Sequence, residues 1–113
     1  MIQNRTIIDP VSGQPWGIQV VLTGDTYGRS NSIVNDRGPM VEFYDERRVS
    51  EGRDPYFVSR YAVETLKSDE YGPAHPGPRG LALQGDSVAW SISSEGMHLV
   101  MAFVDSVLAG VAA

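Results

Sequence analysis

Apolar and polar residues alternate in two stretches near the start of the chain. Residues 6–9 and 16–23 both follow the period of two that is typical of β-strands. Between them, Pro10 and Gly13 preset or permit the backbone angles of a chain reversal. The pattern therefore predicts a β-hairpin whose second strand turns one face toward the core. The residues expected on that face are Trp16, Ile18, Val20 and Leu22.

A third alternating stretch covers residues 40–45. Val41 and Phe43 share one side of it, whereas Glu42 and Tyr44 share the other. This arrangement is typical of a strand with one face on the core and the other in solvent. We predict a half-exposed strand that extends the first hairpin.

The alternation breaks between the second and third strands. Residues 24–39 are rich in Gly, Ser, Asn and Asp and contain one short apolar pair, Ile33 and Val34. This composition predicts a long loop with one small anchor. Connections longer than about 12–15 residues without regular structure are uncommon in compact domains and often carry function. The loop is therefore the first candidate for a binding site, and the alternative is a mobile connector.

A helix-start signature follows the third strand. The carboxylate of Asp54 can cap a helix, and Pro55 suits its first position. On the opposite face from the apolar residues, Arg60 and Glu64, and Glu64 and Lys67, can pair across one turn. We predict an amphipathic helix that packs on the sheet. The apolar-face residues recurring at helical spacing are Val58, Tyr61, Ala62, Thr65 and Leu66.

The second half of the chain begins with a proline-rich segment. Residues 71–80 contain three of the seven prolines and therefore predict an extended connection. Residues 81–83 and 88–92 then predict a second hairpin, with its turn at Gly85 and Asp86.

A long apolar helix is predicted near the end of the chain. Ser93 or Ser94 can cap it, and Gly110 is expected to stop it just after Ala109. Its apolar side chains cover an arc of roughly 200° around the axis, which is wider than one packing face needs. Either the helix is buried between layers or a partner chain covers part of it. We predict a homodimer whose interface residues are Leu99, Phe103 and Val107.

Together these elements predict an α+β fold in one domain, residues 1–113. The expected architecture is an antiparallel sheet built from two hairpins and an extra strand, with two helices packed on it. The order of elements is β-β-β-α-β-β-α. A chain of this length is typical of one domain, and 42% hydrophobic residues suffice for a packed core.

Composition indicates in which compartment the protein acts and which classes of partner it can bind. The chain has no cysteine, which excludes disulfides, thiolate nucleophiles and sulfur-ligated zinc. Its first residues lack the basic-then-apolar order of a signal peptide, and no apolar run approaches the roughly 20 residues that span a bilayer. We therefore expect a cytoplasmic protein without membrane contact. The formal charge of −5 makes nucleic acid an unfavourable partner.

No group of residues has the spacing of a catalytic or metal site. Neither His75 nor His98 has a nucleophile nearby in sequence, and no serine lies in a Gly-x-Ser-x-Gly motif. The carboxylates of residues 45–54 alternate with arginines, which indicates surface ion pairs rather than a cation site. Residues 24–29 lack the spacing of a nucleotide-binding loop and predict a turn in which Asp25 bonds its own backbone. We expect no catalytic residues, no metal and no cofactor.

Tyrosine and arginine side chains near the loops favour protein binding instead. These residue types are enriched at protein interfaces. We predict a non-enzymatic interaction module with a protein partner. Two alternatives stay open: a small enzyme or ligand-binding domain with a pocket closed by loop 24–39, and a structural or assembly component of a larger particle. The residues predicted to contact the partner are Tyr27, Arg29, Arg37 and Tyr44.

Three stretches of the chain carry a resemblance. They are residues 24–29 (Gly-Asp-Thr-Tyr-Gly-Arg), 41–45 (Val-Glu-Phe-Tyr-Asp) and 57–66 (Phe-Val-Ser-Arg-Tyr-Ala-Val-Glu-Thr-Leu). Together they resemble small proteins carried on bacterial plasmids, integrated elements and phages. The resemblance implies a setting and transfers no catalytic or binding residues. In that setting small acidic proteins often bind and block a host protein, so it implies an inhibitor of a host defence complex, similar to an anti-CRISPR protein.

Overall fold

Four strands form an antiparallel sheet in the order β1-β2-β3-β4. The computed structural model describes residues 3–27, 33–67, 81–82 and 91–112. The strands of the sheet are β1 (Gln3–Ile8), β2 (Pro15–Val21), β3 (Met40–Asp45) and β4 (Tyr56–Ala62). The other elements are a 3-10 helix (Glu46–Glu51), α1 (Val63–Leu66), the short paired strands β5 (Leu81–Ala82) and β6 (Ser91–Ile92), and α2 (Ser94–Ala112). The predicted α+β class is confirmed.

The first hairpin forms where the alternating pattern predicts it. β1 and β2 pair antiparallel, with Ile7 opposite Trp16. Gly13, at a φ of 76°, donates its backbone N–H to the carbonyl of Asp9 and closes the turn. β1 begins earlier than predicted, at Gln3, because its polar residues pair with β2 through the backbone, which a side-chain pattern does not report.

One face of the sheet, which we call the helix face, packs against α2. Val41 and Phe43 of β3 lie on it, paired with residues of β2. The predicted core residues of β2 all lie there, three of them fully buried and the last partly: Trp16, Ile18, Val20 and Leu22. The buried residues that α2 contributes are Met97, Val100, Met101, Phe103 and Val104. The predicted core face is confirmed.

The opposite face of the sheet, which we call the loop face, is also buried at the inner strands β2 and β3. Glu42 and Tyr44 of β3 are only 1% and 6% exposed. Gln19 and Val21 of β2 lie on the same face and are buried too. The prediction of a half-exposed third strand is wrong, because β3 is an inner strand and segments outside the sheet cover its second face.

β4 replaces most of the helix predicted from Asp54 to Leu66. The segment Tyr56–Ala62 matches helical spacing, but it is also rich in aromatic and β-branched residues, which favour strands. Pairing with β3 decides between the two, because it sets Arg60 directly opposite the buried Glu42. Only Val63–Leu66 form a single helical turn.

Because a strand replaces most of the predicted helix, its charged residues form other ion pairs than those predicted. Arg60 pairs with Glu42 at 3.1 Å, and Lys67 pairs with Asp105 of α2 at 2.7 Å. Both side chains of the second pair are about half exposed, at 48% and 57%, so this pair contributes at most about 1 kcal/mol. The predicted pairing of Glu64 with these residues is wrong, because β4 sets Arg60 opposite Glu42 and Lys67 reaches Asp105 instead.

The second hairpin is described only at its ends. Leu81 pairs antiparallel with Ile92, and Ala82 pairs with Ser91. The predicted turn at Gly85 lies outside the described residues, as does the proline-rich connection of residues 71–80.

α2 begins at the cap that the sequence predicts. The hydroxyl oxygen of Ser93 accepts a hydrogen bond from the backbone N–H of Gly96 at 3.0 Å. The buried carboxylate of Asp9 accepts hydrogen bonds from both the N–H (2.8 Å) and the hydroxyl (2.6 Å) of Ser93. The predicted stop at Gly110 is wrong, because α2 continues to Ala112. A glycine inside a helix costs only about 1 kcal/mol, so it need not end one.

By length and composition, α2 is also the one helix among the described residues that could cross a membrane. Its stretch Ser94–Val111 has a mean hydropathy of 1.2, so the expectation that no apolar run approaches a spanning length is wrong by that measure. Val100 and Val104 are nonetheless fully buried against the sheet. A core helix of a globular protein meets the same criterion, and α2 packs as one here.

A substitution at Gly96 tests how closely the first turn of α2 approaches Asp9. A Cβ added at Gly96 would lie 2.7 Å from Cγ2 of Ile92 and 3.1 Å from the Asp9 carboxyl. We expect Gly96→Ala to lower the free energy of unfolding by about 1–2 kcal/mol, because the clash exceeds the gain in helix propensity. Gly110→Ala is the matched control: its Cβ would meet nothing within 4 Å, so it should add about 0.5–1 kcal/mol. Urea unfolding measures both, and equal gains in the two variants would contradict the close approach.

The ionisation of Asp9 should make the free energy of unfolding depend on pH. Burial alone would raise the pKa of its carboxyl, but hydrogen bonds from Ser93, Val11 and Ser12 outweigh burial and hold the pKa below the ordinary 3.8. Asp9 therefore stabilises the fold above pH 3.8, and this contribution is lost as the pH falls through the folded pKa. We expect Asp9→Asn to cost about 2–3 kcal/mol near neutral pH and to flatten the loss of stability in acid. Urea unfolding as a function of pH tests this, and a variant with the wild-type acid profile would contradict it.

Candidate functional site

The predicted loop between β2 and β3 contains a small ladder of its own. Thr26 and Val34 form an antiparallel bridge. The backbone N–H of Tyr27 donates to the carbonyl of Ile33, and that of Asn35 donates to the carbonyl of Asp25, both at 2.7 Å. The loop is therefore an ordered excursion of the chain on both sides of residues 28–32, which lie outside the described residues.

A fully buried Asn35 holds this excursion against the sheet. Its Nδ2 donates to the carbonyls of Val21 at 3.0 Å and Gly38 at 2.6 Å. Its Oδ1 accepts from the hydroxyl of Tyr27 at 3.2 Å and from the N–H of Arg37 at 3.0 Å. One side chain thus satisfies four partners, and it fixes the positions of both arms of the loop.

The predicted apolar anchor is wrong. Ile33 and Val34 are 52% and 58% exposed, so they point away from the core. The polar Asn35 and the buried ring of Tyr27 anchor the loop instead. The reason is that the ladder's backbone needs hydrogen-bonding partners where it meets the sheet, and an amide side chain supplies both donors and an acceptor.

Arg60 lies between two aromatic rings on the loop face. Its guanidinium carbon is 4.3 Å from the ring centroid of Tyr27 and 5.1 Å from that of Phe57. Its Nη2 donates to Oε2 of Glu42 at 3.1 Å. Cation–π contacts and an ion pair therefore hold the guanidinium in one place. Because Tyr27 belongs to the loop and Phe57 to β4, Arg60 joins the loop to the edge of the sheet.

Glu42 is the buried charge beneath this arrangement. A buried carboxylate is costly unless it is paired and hydrogen-bonded. Arg60 supplies the pairing, and the hydroxyl of Tyr44 donates to Oε1 at a longer 3.4 Å. Gln19, opposite Glu42 in β2, is 5% exposed, and its Oε1 has no hydrogen-bond partner among the described residues. The loop face therefore has a polar centre where the helix face has an apolar one.

A cleft of about 530 Å³ opens beside Arg60, between the loop and the end of β3. Its walls combine apolar, aromatic and ionic side chains. They are Tyr27, Ile33, Val34 and Met40, with the ionic groups of Asp36, Arg37 and Arg60. A cavity with these walls can bind an amphipathic group.

The structure brings three of the four predicted partner-contact residues to this region. Arg37 is exposed and lines the cleft. Tyr27 also lines it but is 7% exposed, and its hydroxyl is bonded to Asn35. Tyr44 lies beneath, with its ring centroid 5.4 Å from that of Phe57. Arg29 lies outside the described residues.

Sequence reasoning missed the residues that organise the site. Glu42 and Arg60 carried a signal, since each is a charged residue within a stretch of apolar and aromatic neighbours. The sequence pattern predicts solvent exposure for Glu42 and a position on a helix surface for Arg60. Asn35 carried no signal, because an asparagine in a Gly-rich stretch is typical of an ordinary turn.

The three residues predicted for a dimer interface differ in exposure. Leu99 is 46% exposed and Val107 is half-buried. Phe103 is buried in the core, and the guanidinium carbon of Arg5 lies 4.7 Å above its ring. Two grooves run along this side of α2, both bordered by Arg5 and Phe103.

The other candidate groups lie in structural roles. Asp25 accepts a hydrogen bond from the N–H of Leu22 at 3.3 Å, as the predicted turn requires. Asp45 caps the 3-10 helix and pairs with Arg47 at 3.0 Å. Within the described part of the chain, no group of three or more His, Asp or Glu side chains could hold a metal ion.

The stability of the loop should depend on the amide side chain of Asn35. In Asn35→Asp a carboxylate would replace both donors and face the carbonyl oxygens of Val21 and Gly38, so we expect a loss of about 2–4 kcal/mol. Amide hydrogen exchange should accelerate first at Tyr27. Asn4→Asp, the same change on the exposed edge strand β1, should stay within about 0.5 kcal/mol. Similar losses in both variants would show that Asn35 is not the anchor.

No family model matches the chain, and neither curated proteins nor solved structures give a match. No relative therefore supplies a function for this site. The resemblance of residues 24–29, 41–45 and 57–66 to proteins of bacterial mobile elements stays a prediction.

Proposed function

We propose that this chain is a non-enzymatic protein-interaction module, and that the rim of the cleft is its contact surface. The observation that carries the proposal is the pair Ile33 and Val34. Both side chains are more than half exposed, yet their backbone is held by the ladder and by the buried Asn35. An apolar pair on a pre-ordered backbone loses little conformational entropy on binding, which favours affinity.

The surroundings of this pair have the composition of an interface. Phe57, at the far side of Arg60, is 42% exposed, and Arg37 is exposed beside Val34. Aromatic and arginine side chains are the types that contribute most to binding energy at protein interfaces. Apolar side chains near exposed cations also match the usual plan of an apolar centre with a polar rim.

Binding is favoured over catalysis because the polar groups of the region serve the fold. The hydroxyls of Tyr27 and Tyr44 bond to Asn35 and Glu42. Asp25, which an enzyme or ligand pocket under the loop would have used, bonds within its own turn. A general acid needs a proton-donating group aimed at a substrate, and a general base needs a proton-accepting one. The ligand-binding alternative keeps the cleft itself as its support.

The biological setting of the proposal rests on the resemblance. A small acidic interaction module of a mobile element would act in the cytoplasm by binding and blocking a host defence complex. The formal charge of −5 is compatible with that setting. A homodimer through α2 stays a prediction too. The exposed Leu99 and the half-buried Val107 are available for it, whereas Phe103 contributes to the core.

The double variant Ile33→Ser/Val34→Ser tests the surface. Tagged protein is used to capture partners from a bacterial lysate, and mass spectrometry compares the wild type with the variant. We expect the variant to fold normally, because both side chains are exposed, and to lose a specifically captured protein. The loss should exceed about tenfold, because two apolar contacts at an interface centre are each worth about 1 kcal/mol or more.

Val11→Ser is the matched control. Val11 is 68% exposed in the turn at the other end of β2, about 20 Å of strand away from the loop. It removes a similar apolar side chain without touching the cleft, so capture should be unchanged. Equal capture by all three proteins would remove the loop from the site. Absence of any captured protein would favour the ligand-binding alternative.

A further inference from the structure

Arg37 offers a cation that forms no ion pair with any described carboxylate. Its backbone N–H bonds to Asn35, but its side chain makes no ion pair or hydrogen bond with any residue that the structure describes. The side chain is exposed at the cleft, on a segment whose backbone Asn35 holds in place. By contrast, Arg47, Arg53 and Arg60 each pair with a carboxylate.

Arg60 adds a second guanidinium with spare donors. Glu42 accepts from its Nη2, and the buried Nε has no hydrogen-bond partner in the described part of the chain. A guanidinium carries five N–H donors, and the Arg60 side chain is 35% exposed, so donors other than the buried Nε can meet an incoming acceptor. The rings of Tyr27 and Phe57 keep this side chain from swinging away.

The balance of charge at the cleft opposes that of the chain. Among the described residues its lining carries Arg37 and Arg60 against Asp36, a formal charge of +1, whereas the whole chain carries −5. Glu42, beneath the lining, offsets Arg60 but is 1% exposed and does not face the opening. The remaining walls are apolar, with Ile33, Val34 and Met40. The cleft thus joins spare cationic donors to an apolar surface.

We propose that the rim of the cleft recognises a protein segment that places a carboxylate side chain beside an apolar one. This inference rests on the function proposed above. The carboxylate pairs with Arg37 and the outer edge of Arg60, and the apolar neighbour packs on Ile33 and Val34. Planar, bidentate pairing is the form in which arginine binds carboxylates. A neutral apolar segment would leave the Arg37 guanidinium partly desolvated without an acceptor, which disfavours it.

Two tripeptides that differ only in charge test this. The probes are acetyl-Leu-Glu-Leu-amide and acetyl-Leu-Gln-Leu-amide, titrated into isotope-labelled protein and followed by NMR. We expect the glutamate peptide to shift the backbone signals of Ile33, Val34 and Arg37 and the side-chain signal of Arg60. It should bind about five times more tightly than the glutamine peptide at low salt, and the difference should shrink in about 1 M NaCl, where the Debye length is about 3 Å.

Two matched arginine variants complete the experiment. Arg37→Gln should remove most of the preference for glutamate, whereas Arg53→Gln should leave it unchanged, because Arg53 pairs with Glu51 outside the cleft. Equal binding of the two peptides would overturn the proposal. So would no shift from either at about 10 mM, or a preference that survives Arg37→Gln. If the Ile33→Ser/Val34→Ser variant loses its captured protein while the two peptides bind equally, the proposed binding surface is retained. Only the proposed preference for an acidic partner is then overturned.

Discussion

The Asp9 carboxylate connects the two ends of the described fold. It closes the turn after β1 through the N–H of Val11, and it receives both the N–H and the hydroxyl of Ser93, which caps α2. These contacts span 84 residues of sequence. Gly96 lets the first turn of the helix approach the carboxylate closely. This contact places the first turn of α2 beside the turn between β1 and β2.

Covering one face with α2 leaves the loop face to the rest of the chain. The excursion between β2 and β3 covers part of it with short polar anchors, and Glu46 of the 3-10 helix lies against Gly17. The result is a polar centre in which Glu42, Arg60 and Asn35 each satisfy several neighbours. A polar network of this kind is geometrically demanding, because each missed hydrogen bond is costly. The same hydrogen bonds hold the backbone of Ile33 and Val34 in place while their side chains stay exposed.

Local patterns were reliable where one interaction dominated. The hairpin of β1 and β2, the bounds of β3 and the Ser93 cap all follow from residues near each other in sequence. The segment around Arg60 was ambiguous, because its apolar residues fit a helix and its residue types fit a strand. The candidate site was found only in part. Arg37 and the loop were predicted, whereas the roles of Glu42, Arg60 and Asn35 depend on partners 2 to 18 residues away in the chain.

Sequence alone determined the α+β class, the core face of β2 and the start of α2, because these depend on periodicity and on capping within one turn. Only the tertiary structure decided that Tyr56–Ala62 is a strand, that both faces of the inner strands are buried, and that Ile33 and Val34 point outward. The physical reason is that a buried charge selects its partner across the sheet. Glu42 needs Arg60 opposite it, and neither residue reports that need to its own neighbours.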